Sequence, residues 1–329
     1  MNHGRFGRLA VVAGLICFAV LALGGEAVAQ NYPVKPVRVI VPNTPGGVTD
    51  VIARLFAMRL SEMWSQAVIV ENRPGADQII GSDVVAKASP DGYTLLVSAD
   101  SAFVATPHLF GKLPFDPLND FTSIVGLCQV SPVMSVNPLL PVRDVRELIA
   151  MAKAKPGALS YGSFGNGTYA HVAMEEFKQL TGTDLLHVPY KGASPGITDL
   201  VSGRISVMLT SLTSVDGLAK AGKLRIIAAA GPKRLALRPE LPTVAESGVP
   251  GFETGAWFAL FGPANLPRPI VKKIYEDATR VVGMPETIQF YTKRALEPVE
   301  KTPEQLEQFI RKEYERWGKT IKSIGATAG

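Results

Sequence analysis

The stretch Val37–Trp64, VRVIVPNTPGGVTDVIARLFAMRLSEMW, decides the fold. Its apolar start (Val37, Val39, Ile40, Val41) has strand length and stops at Pro42. A loop of turn-forming residues follows: Asn43, Thr44, Pro45, Gly46 and Gly47. Beyond it Ile52, Leu55, Phe56, Leu60 and Met63 recur at spacings of three and four, as on a helix with one buried face. Strand, glycine loop and helix in this order make a βα unit, whose loop lies at the carboxyl end of a parallel sheet, where ligands bind. The helix start offers N–H groups and partial positive charge, and glycine lets an anion approach the backbone. A carboxylate is the expected occupant; an ordinary βα turn is the plain alternative.

The unit continues as an alternating pattern. Ala67–Val70 and Tyr93–Val97 read as strands and Ile79–Ala88 as a helix, with turns at Glu71–Gly75 and Pro90-Asp91-Gly92. This β-α-β-α-β order predicts a doubly wound α/β domain, and places the tip Ser98–Ser101 near the first glycine loop. Leu113–Phe121 is turn-rich, and Ile124–Val136 reads as extended and leads into new material. After a helix at Arg143–Lys155, the strand Leu159–Gly162 runs into a second glycine loop, Ser163–Thr168, and a helix from Tyr169 to Leu180. The motif therefore occurs once in each half, so that two loops facing each other would form a cleft between two domains.

Later segments read as strands at Leu185–Tyr190, Ile205–Leu209 and Leu224–Ala230, with helices at Ser194–Val201 and Val215–Ala221. The stretch from Pro232 to Pro250 reads as surface loop with a helical turn at Thr243–Ser247. Trp257–Phe261 is extended and is expected to cross back to the first domain, and Arg268–Val282 is helical. The last helix carries Thr302 as N-cap, Pro303 in its first turn and Gln305 to complete a capping box. Leu306, Phe309, Ile310, Trp317, Ile321 and Ile324 trace its apolar face.

Composition limits the function classes. The chain has 329 residues, enough for two domains, and 47% hydrophobic residues to build their cores. Residues 1–29 read as a signal peptide: Arg5 and Arg8, the apolar run Leu9–Leu23, then Ala27-Val28-Ala29. The expected mature chain begins near Gln30, exported and soluble. The net charge of +5 is spread over the chain, with no basic stripe interleaved with aromatics, so a nucleic-acid partner is not expected. Cys17 lies inside the leader, and Cys128 alone remains, leaving no partner for an intramolecular disulfide.

The catalytic inventory is thin. There is no Gly-x-Ser-x-Gly elbow and no HExxH, and His108, His171 and His187 lack zinc-ligand spacing. The second glycine loop is neither a P-loop nor a dinucleotide fingerprint. What remains is backbone amides and the hydroxyls of Thr44, Thr49, Ser163, Thr168 and Tyr190, which is the equipment of a binder. No cofactor or metal is expected. Asp50 reads as a charge favouring the helix start or as a pocket group. His171 reads as a structural or a ligand-facing histidine, Tyr190 and Lys191 as cleft lining or surface, and Trp257 and Phe258 as core or as a stacking floor.

These stretches resemble the Bug-type extracytoplasmic solute receptors of tripartite tricarboxylate transporters. The resemblance rests on Pro45-Gly46-Gly47-x-x-Asp50 with Ala53-Arg54, Glu71-Asn72-Arg73-Pro74-Gly75-Ala76, and Ser89-Pro90-Asp91-Gly92-Tyr93-Thr94-Leu95. It continues through Ser163-x-Gly165-x-Gly167-Thr168-x-x-His171 and His187-Val188-Pro189-Tyr190-Lys191-Gly192, then Pro242-Thr243-x-x-Glu246-x-Gly248 and Gly262-Pro263-Ala264. It implies a type II periplasmic-binding-protein fold: two doubly wound α/β domains joined by crossing strands, with a ligand cleft between. The expected domains are 30–128 plus 256–329, and 129–255. It implies a monomeric periplasmic receptor, not an enzyme, that delivers a small organic carboxylate to membrane permease subunits. A signalling receptor docking on a sensor kinase is the alternative, and a secreted hydrolase a third reading.

The site residues so implied are Asn43, Thr44, Gly46, Gly47, Thr49 and Asp50 in the first loop and Ser98 beside it. Ser163, Gly165, Gly167, Thr168, His171, Tyr190 and Thr210 complete them from the second domain. The chain departs from the family pattern at Asn43, where an aromatic is usual, and at Asp77-Gln78, where a glycine pair is usual. It departs again at Ser206 and Thr210, where acids are frequent. Fewer acids near the cleft would disfavour an amino-acid ammonium and suit a plain di- or aromatic acid.

Overall fold

The computed structural model describes residues 32–165, 168–190, 192–299, 301–323 and 325. The first half runs β1 (Val37–Val41), α1 (Val48–Trp64), β2 (Val68–Asn72), α2 (Ile79–Ala86) and β3 (Thr94–Ala99), then the short α3 (Ser101–Val104) and α4 (Thr106–Leu109), and β4 (Phe121–Val130). It continues with β5 (Pro132–Val136), α5 (Val145–Ala154), β6 (Leu159–Ser163), α6 (Tyr169–Thr181), β7 (Leu185–Pro189) and α7 (Ala193–Ser202). The remainder is β8 (Val207–Ser211), α8 (Leu212–Lys220), β9 (Arg225–Ala229), β10 (Ala256–Pro263), α9 (Arg268–Val282), α10 (Pro285–Lys293), β11 (Leu296–Glu297) and α11 (Pro303–Ser323).

The strands form two sheets. One has six strands in the order β11-β4-β10-β3-β1-β2, the other five in the order β7-β6-β8-β5-β9. β1 is parallel to β2 and β3, with Ile40 opposite Leu96. β6 is parallel to β7 and β8. The inner strands are buried on both faces, while the edge strands β2 and β7 are partly exposed. Val37, Val39 and Val41 pack against the α1 and α9 side with Ile52, Phe56 and Ile274, while Ile40 and Leu96 face Phe103, Trp257 and α11. This explains why β1 reads as a continuous apolar run rather than an alternating one. The α1 residues Ile52, Phe56, Leu60 and Trp64 are buried, each large apolar side chain contributing about 1.5–3 kcal/mol.

The extended reading of Ile124–Val136 holds, and the stretch divides between the two sheets. Two strands meet at Ser131 and belong to different sheets, β4 to the first and β5 to the second. The returning crossing is made beside it. Ala230 N donates to Pro132 O (2.8 Å) and Thr254 N to Ala230 O (2.8 Å). A Cβ on Gly231 would lie 2.4 Å from Ser131 Oγ, and one on Gly255 would lie 2.5 Å from Val130 O. β10 does cross back, pairing antiparallel with both β3 and β4. The helix α10 and the short strand β11 were not expected from sequence. The capping box of α11 is formed: Thr302 N donates to Gln305 Oε1 (3.0 Å) and Gln305 N to Thr302 Oγ1 (3.3 Å). Ile324 and the signal-peptide reading of 1–29 lie outside the described residues.

Candidate functional site

The first glycine loop is held by one carboxylate. Asp50 Oδ2 accepts from Gly46 N (2.9 Å) and Arg54 Nε (3.0 Å), and its Oδ1 accepts from Asn72 Nδ2 (2.9 Å). Asn72 Nδ2 also donates to Asn43 O (3.0 Å). Burial opposes the Asp50 charge, but the hydrogen bonds from Arg54, Gly46 and Asn72 outweigh it and hold the carboxyl below its ordinary range. The Gly46 amide is thus spent on Asp50, whereas no side chain caps α1 at Gly47, so the first-turn N–H groups of that helix are the donors left to a ligand. Gly46 has φ +86° with open space at its Cβ position, a backbone that favours glycine whatever the room. Thr44 and Gly47 are exposed, while Thr49 and Asp50 are buried.

The second loop is built differently. Ser163 ends β6; its Oγ lies 2.7 Å from His187 Nε2, accepts from Gly165 N (3.2 Å) and reaches Gly165 O (3.1 Å). Thr168 Oγ1 donates to Gly165 O (2.8 Å), and Tyr190 N to Ser163 O (3.0 Å). No side chain caps α6 at Thr168. The His187 ring stacks on His171 at 4.0 Å and 7°, and on Tyr161 at 4.8 Å and 17°. Burial, with His171 alongside, pushes His187 down to about 4. Gly167 and Lys191 lie outside the described residues.

Ser98 is fully buried, its hydroxyl donating to Gln78 Oε1 (3.2 Å), and Gln78 Nε2 reaches Ser101 Oγ (2.5 Å). Asp77 Oδ2 accepts from Thr106 Oγ1 (3.2 Å). Thr210 is buried on β8 opposite Val133. Tyr190 is half-buried and gives its hydroxyl to Asp199 Oδ2 (2.9 Å); burial and that bond push it up to about 12. Ser206 stands apart from the glycine-loop edge. It precedes β8, its amide donates to Ser160 O (3.0 Å) and its Oγ accepts from Ser160 N (3.2 Å), at the amino end of β6.

Contacts join the two halves at these edges. Tyr169, the first residue of α6, is half-buried, and desolvation together with the charge of Asp100 just beyond β3 pushes its hydroxyl up. Asp100 itself is pushed up to about 8 by burial, against the opposing hydrogen bond from Ser101 N. Val172 of α6 belongs to the same buried cluster as Ala102, Phe103 and Trp257. On α11, Arg316 donates to Glu176 of α6 (2.5 Å) and to Glu253 O (3.1 Å). Asn72 was visible in the sequence only as part of a tag and Asp100 only as part of the strand tip Ser98–Ser101, and no sequence signal pointed to a role for Tyr169 or Arg316. Among the described residues no group of three or more His, Cys, Asp or Glu is placed to hold a metal ion, and no helix is long and apolar enough to cross a membrane.

Two doubly wound α/β lobes, joined by crossing strands with a cleft between, define the class of type II solute-binding proteins. Within that class the chain belongs to the tripartite tricarboxylate transporter family receptors, whose family model matches residues 52–326. It is 33% identical to Protein BugT of Bordetella pertussis over 320 residues, 97% of this chain and 98% of that protein. An R. palustris protein solved with adipate is 34% identical, with TM-score 0.72 over 90% of this chain and 99% of the other. MatC from Rhodopseudomonas palustris, solved with bound malate, is 29% identical, with TM-score 0.68 over 88% and 100%. The Bug-type resemblance seen in the sequence is thereby borne out.

Proposed function

We propose that this chain is a periplasmic receptor that captures a small organic carboxylate between its lobes and delivers it to the permease subunits of a tripartite tricarboxylate transporter. The observation that carries this reading is a pair of helices, α1 and α6, each entered from a glycine loop and each without a side-chain cap. Uncapped first-turn amides and the positive helix end suit a carboxylate. The lobes are assigned as 30–130 plus 256–329, and 131–255, the boundary lying later than expected because Gln129 and Val130 still pair within the first sheet. Asn43, Thr44, Gly47, Thr49, Ser163, Gly165, Gly167 and Thr168 are assigned to the ligand, with Asp50 and His171 behind them as supports. Closure of the lobes removes water from the carboxylate and strengthens its hydrogen bonds, and the closed form is what a membrane partner recognises. The adipate and malate held by the two relatives favour acids of that size.

A thermal-shift screen of carboxylic acids tests it, because a ligand that binds only the folded chain raises the melting temperature. At 100 times its Kd a single acid is expected to add about 2.7 kcal/mol of stability. A panel of mono-, di- and tricarboxylates that moves the transition nowhere, up to millimolar concentration, removes the proposal.

A further inference from the structure

The helix α6 is shared by both lobes. Ala170, Ala173, Met174 and Phe177 sit in the core of the second lobe with Met134 and Leu209. Tyr169, Val172, Glu176 and Gln179 recur at spacings of three and four, which places them on one stripe of the helix, and all four meet the first lobe. Tyr169 and Val172 pack in the cluster that holds Phe103, Trp257 and Trp317. Glu176 accepts from Arg316 Nη1 (2.5 Å), and Gln179 Nε2 donates to Ser323 Oγ (2.7 Å). Arg316 and Ser323 lie on α11, which is built into the first lobe, since Leu306, Ile310, Trp317 and Ile321 cluster with Ile40, Leu96 and Phe261.

Arg316 joins three parts of the chain. Its Nε and Nη2 fork onto Glu313 at 2.9 and 2.7 Å, one turn earlier on α11, which fixes the plane of the guanidinium. Nη1 is left for Glu176 and for Glu253 O (3.1 Å). Glu253 leads into Thr254 and Gly255, the returning crossing between the lobes. The side chains of Arg316, Glu176 and Glu313 are 27%, 15% and 12% exposed, so salt screens them less than a pair on the open surface. A cavity of about 200 Å³, lined by Ser131, Thr254, Gly255 and Trp257 among others, opens beside Glu313 and Arg316. The crossing strands are therefore not braced against α11 by packing at this level, and the polar contacts of Arg316 supply the restraint.

We propose that the seam between α6 and α11 is a latch between the lobes, and that Arg316 is its pin, setting how far the lobes stand apart before any solute arrives. Parting the helices would strip Glu176 from the guanidinium and leave two half-buried charges uncompensated, which favours the joined arrangement. Because α6 begins at the second glycine loop, the pin also sets where that loop stands relative to α1. The device goes beyond the capture of a carboxylate and does not depend on which solute is bound.

Pulsed dipolar spectroscopy without solute tests it, with spin labels at Lys112→Cys in the first lobe and Lys223→Cys in the second. Both positions are exposed, Cys128 is buried and takes no label, and Cys17→Ser removes the other thiol. The labelled parent is expected to show one main separation. Arg316→Met and Glu176→Gln should each move the ratio of joined to parted lobes about tenfold towards the parted form, the worth of one charge-assisted hydrogen bond at a half-exposed site. The double variant should match the single ones, because the same contact is removed only once. Arg311→Met is the control: that arginine pairs with Glu307 and gives Nη2 to Leu118 O, all within the first lobe, and its loss should leave the separation unchanged. Distances in the Arg316 and Glu176 variants that coincide with the parent's overturn the inference, even where the melting temperature falls, since a merely structural pair would lower stability without moving the lobes. An equal shift from Arg311→Met, or a double variant that shifts by the sum of the two, overturns it as well. Glu176→Gln decides the matter if the methionine variant does not fold.

Discussion

Replacing Asp50 by asparagine keeps the shape of the side chain and removes its charge. In the wild-type protein the carboxylate, only 4% exposed, receives Gly46 N, Arg54 Nε and Asn72 Nδ2. An asparagine has one acceptor oxygen, so at least one of these donors would face an NH2 group. A hydrogen bond to a buried charge is worth about 1.5–3 kcal/mol, while the Arg54 ion pair adds about 0–1 kcal/mol because the arginine side chain is 53% exposed. The variant should lose about 3 kcal/mol, which for a chain of this size lowers the melting temperature by about 5 °C at neutral pH. The pH dependence has a fixed sign. The folded carboxyl titrates below its ordinary value, so its contribution is complete above the unfolded value and is lost as pH falls through the lowered folded one. Melting curves of the two proteins should therefore converge as pH falls through that lowered folded value. Calorimetric affinity for the solute should fall in parallel, because the Gly46 loop loses its anchor. A variant that melts within about 2 °C of the wild type at pH 7, with unchanged affinity, would refute the assignment of Asp50 as the loop's support.

Two further expectations follow from other parts of the molecule. Gly255→Ala would press a methyl group against Val130 O at 2.5 Å, a backbone atom that cannot swing aside, and should cost about 1–3 kcal/mol. By contrast Gly217→Ala, in α8 with nothing within 4 Å, should be neutral or stabilising by up to about 1 kcal/mol. Thermal denaturation of the pair separates the crowded crossing from an open helix position. His187 gives the second expectation. Its folded value of about 4 lies below the ordinary 6.5, so the unfolded chain takes up the proton first and stability falls as pH drops from 6.5 towards 4. His187→Gln should flatten that part of the melting-temperature profile by an amount equivalent to about 2 kcal/mol. An unchanged slope would show that the stacked pair does not titrate in this way.

The residues that punctuate the chain made much of the fold legible. Pro42 ended β1, the glycines after it marked the helix start, and Thr302 with Gln305 announced α11, because each acts through local backbone chemistry. What stayed hidden depended on distant partners. Ser131 is an ordinary strand residue by composition, and it marks a crossing only because Gly231 and Gly255 pack where their own side chains would collide. The glycine loop and helix start were readable, yet the partner of the Gly46 amide was not. Gly46 is consumed by Asp50 four residues on, with Asn72 from the next strand, and helix periodicity cannot reveal that side-chain rotamer. The helix α10 and the strand β11 escaped notice because Pro285 reads equally as a turn. The positive φ of Asp77 and Gln78 was invisible for the opposite reason: the usual glycines that would have advertised it are absent.

The order of strands in the larger sheet has a consequence for biogenesis. β10 lies between β3 and β4, so the lobe that contains the amino-terminal strands lacks its middle until Ala256–Pro263 has been synthesised. The other sheet draws all its strands from Pro132–Ala229 and can be completed earlier. A nascent chain would thus present its second lobe finished while the first still waits as an incomplete ribbon. Such a delay makes the amino-terminal lobe the last to close.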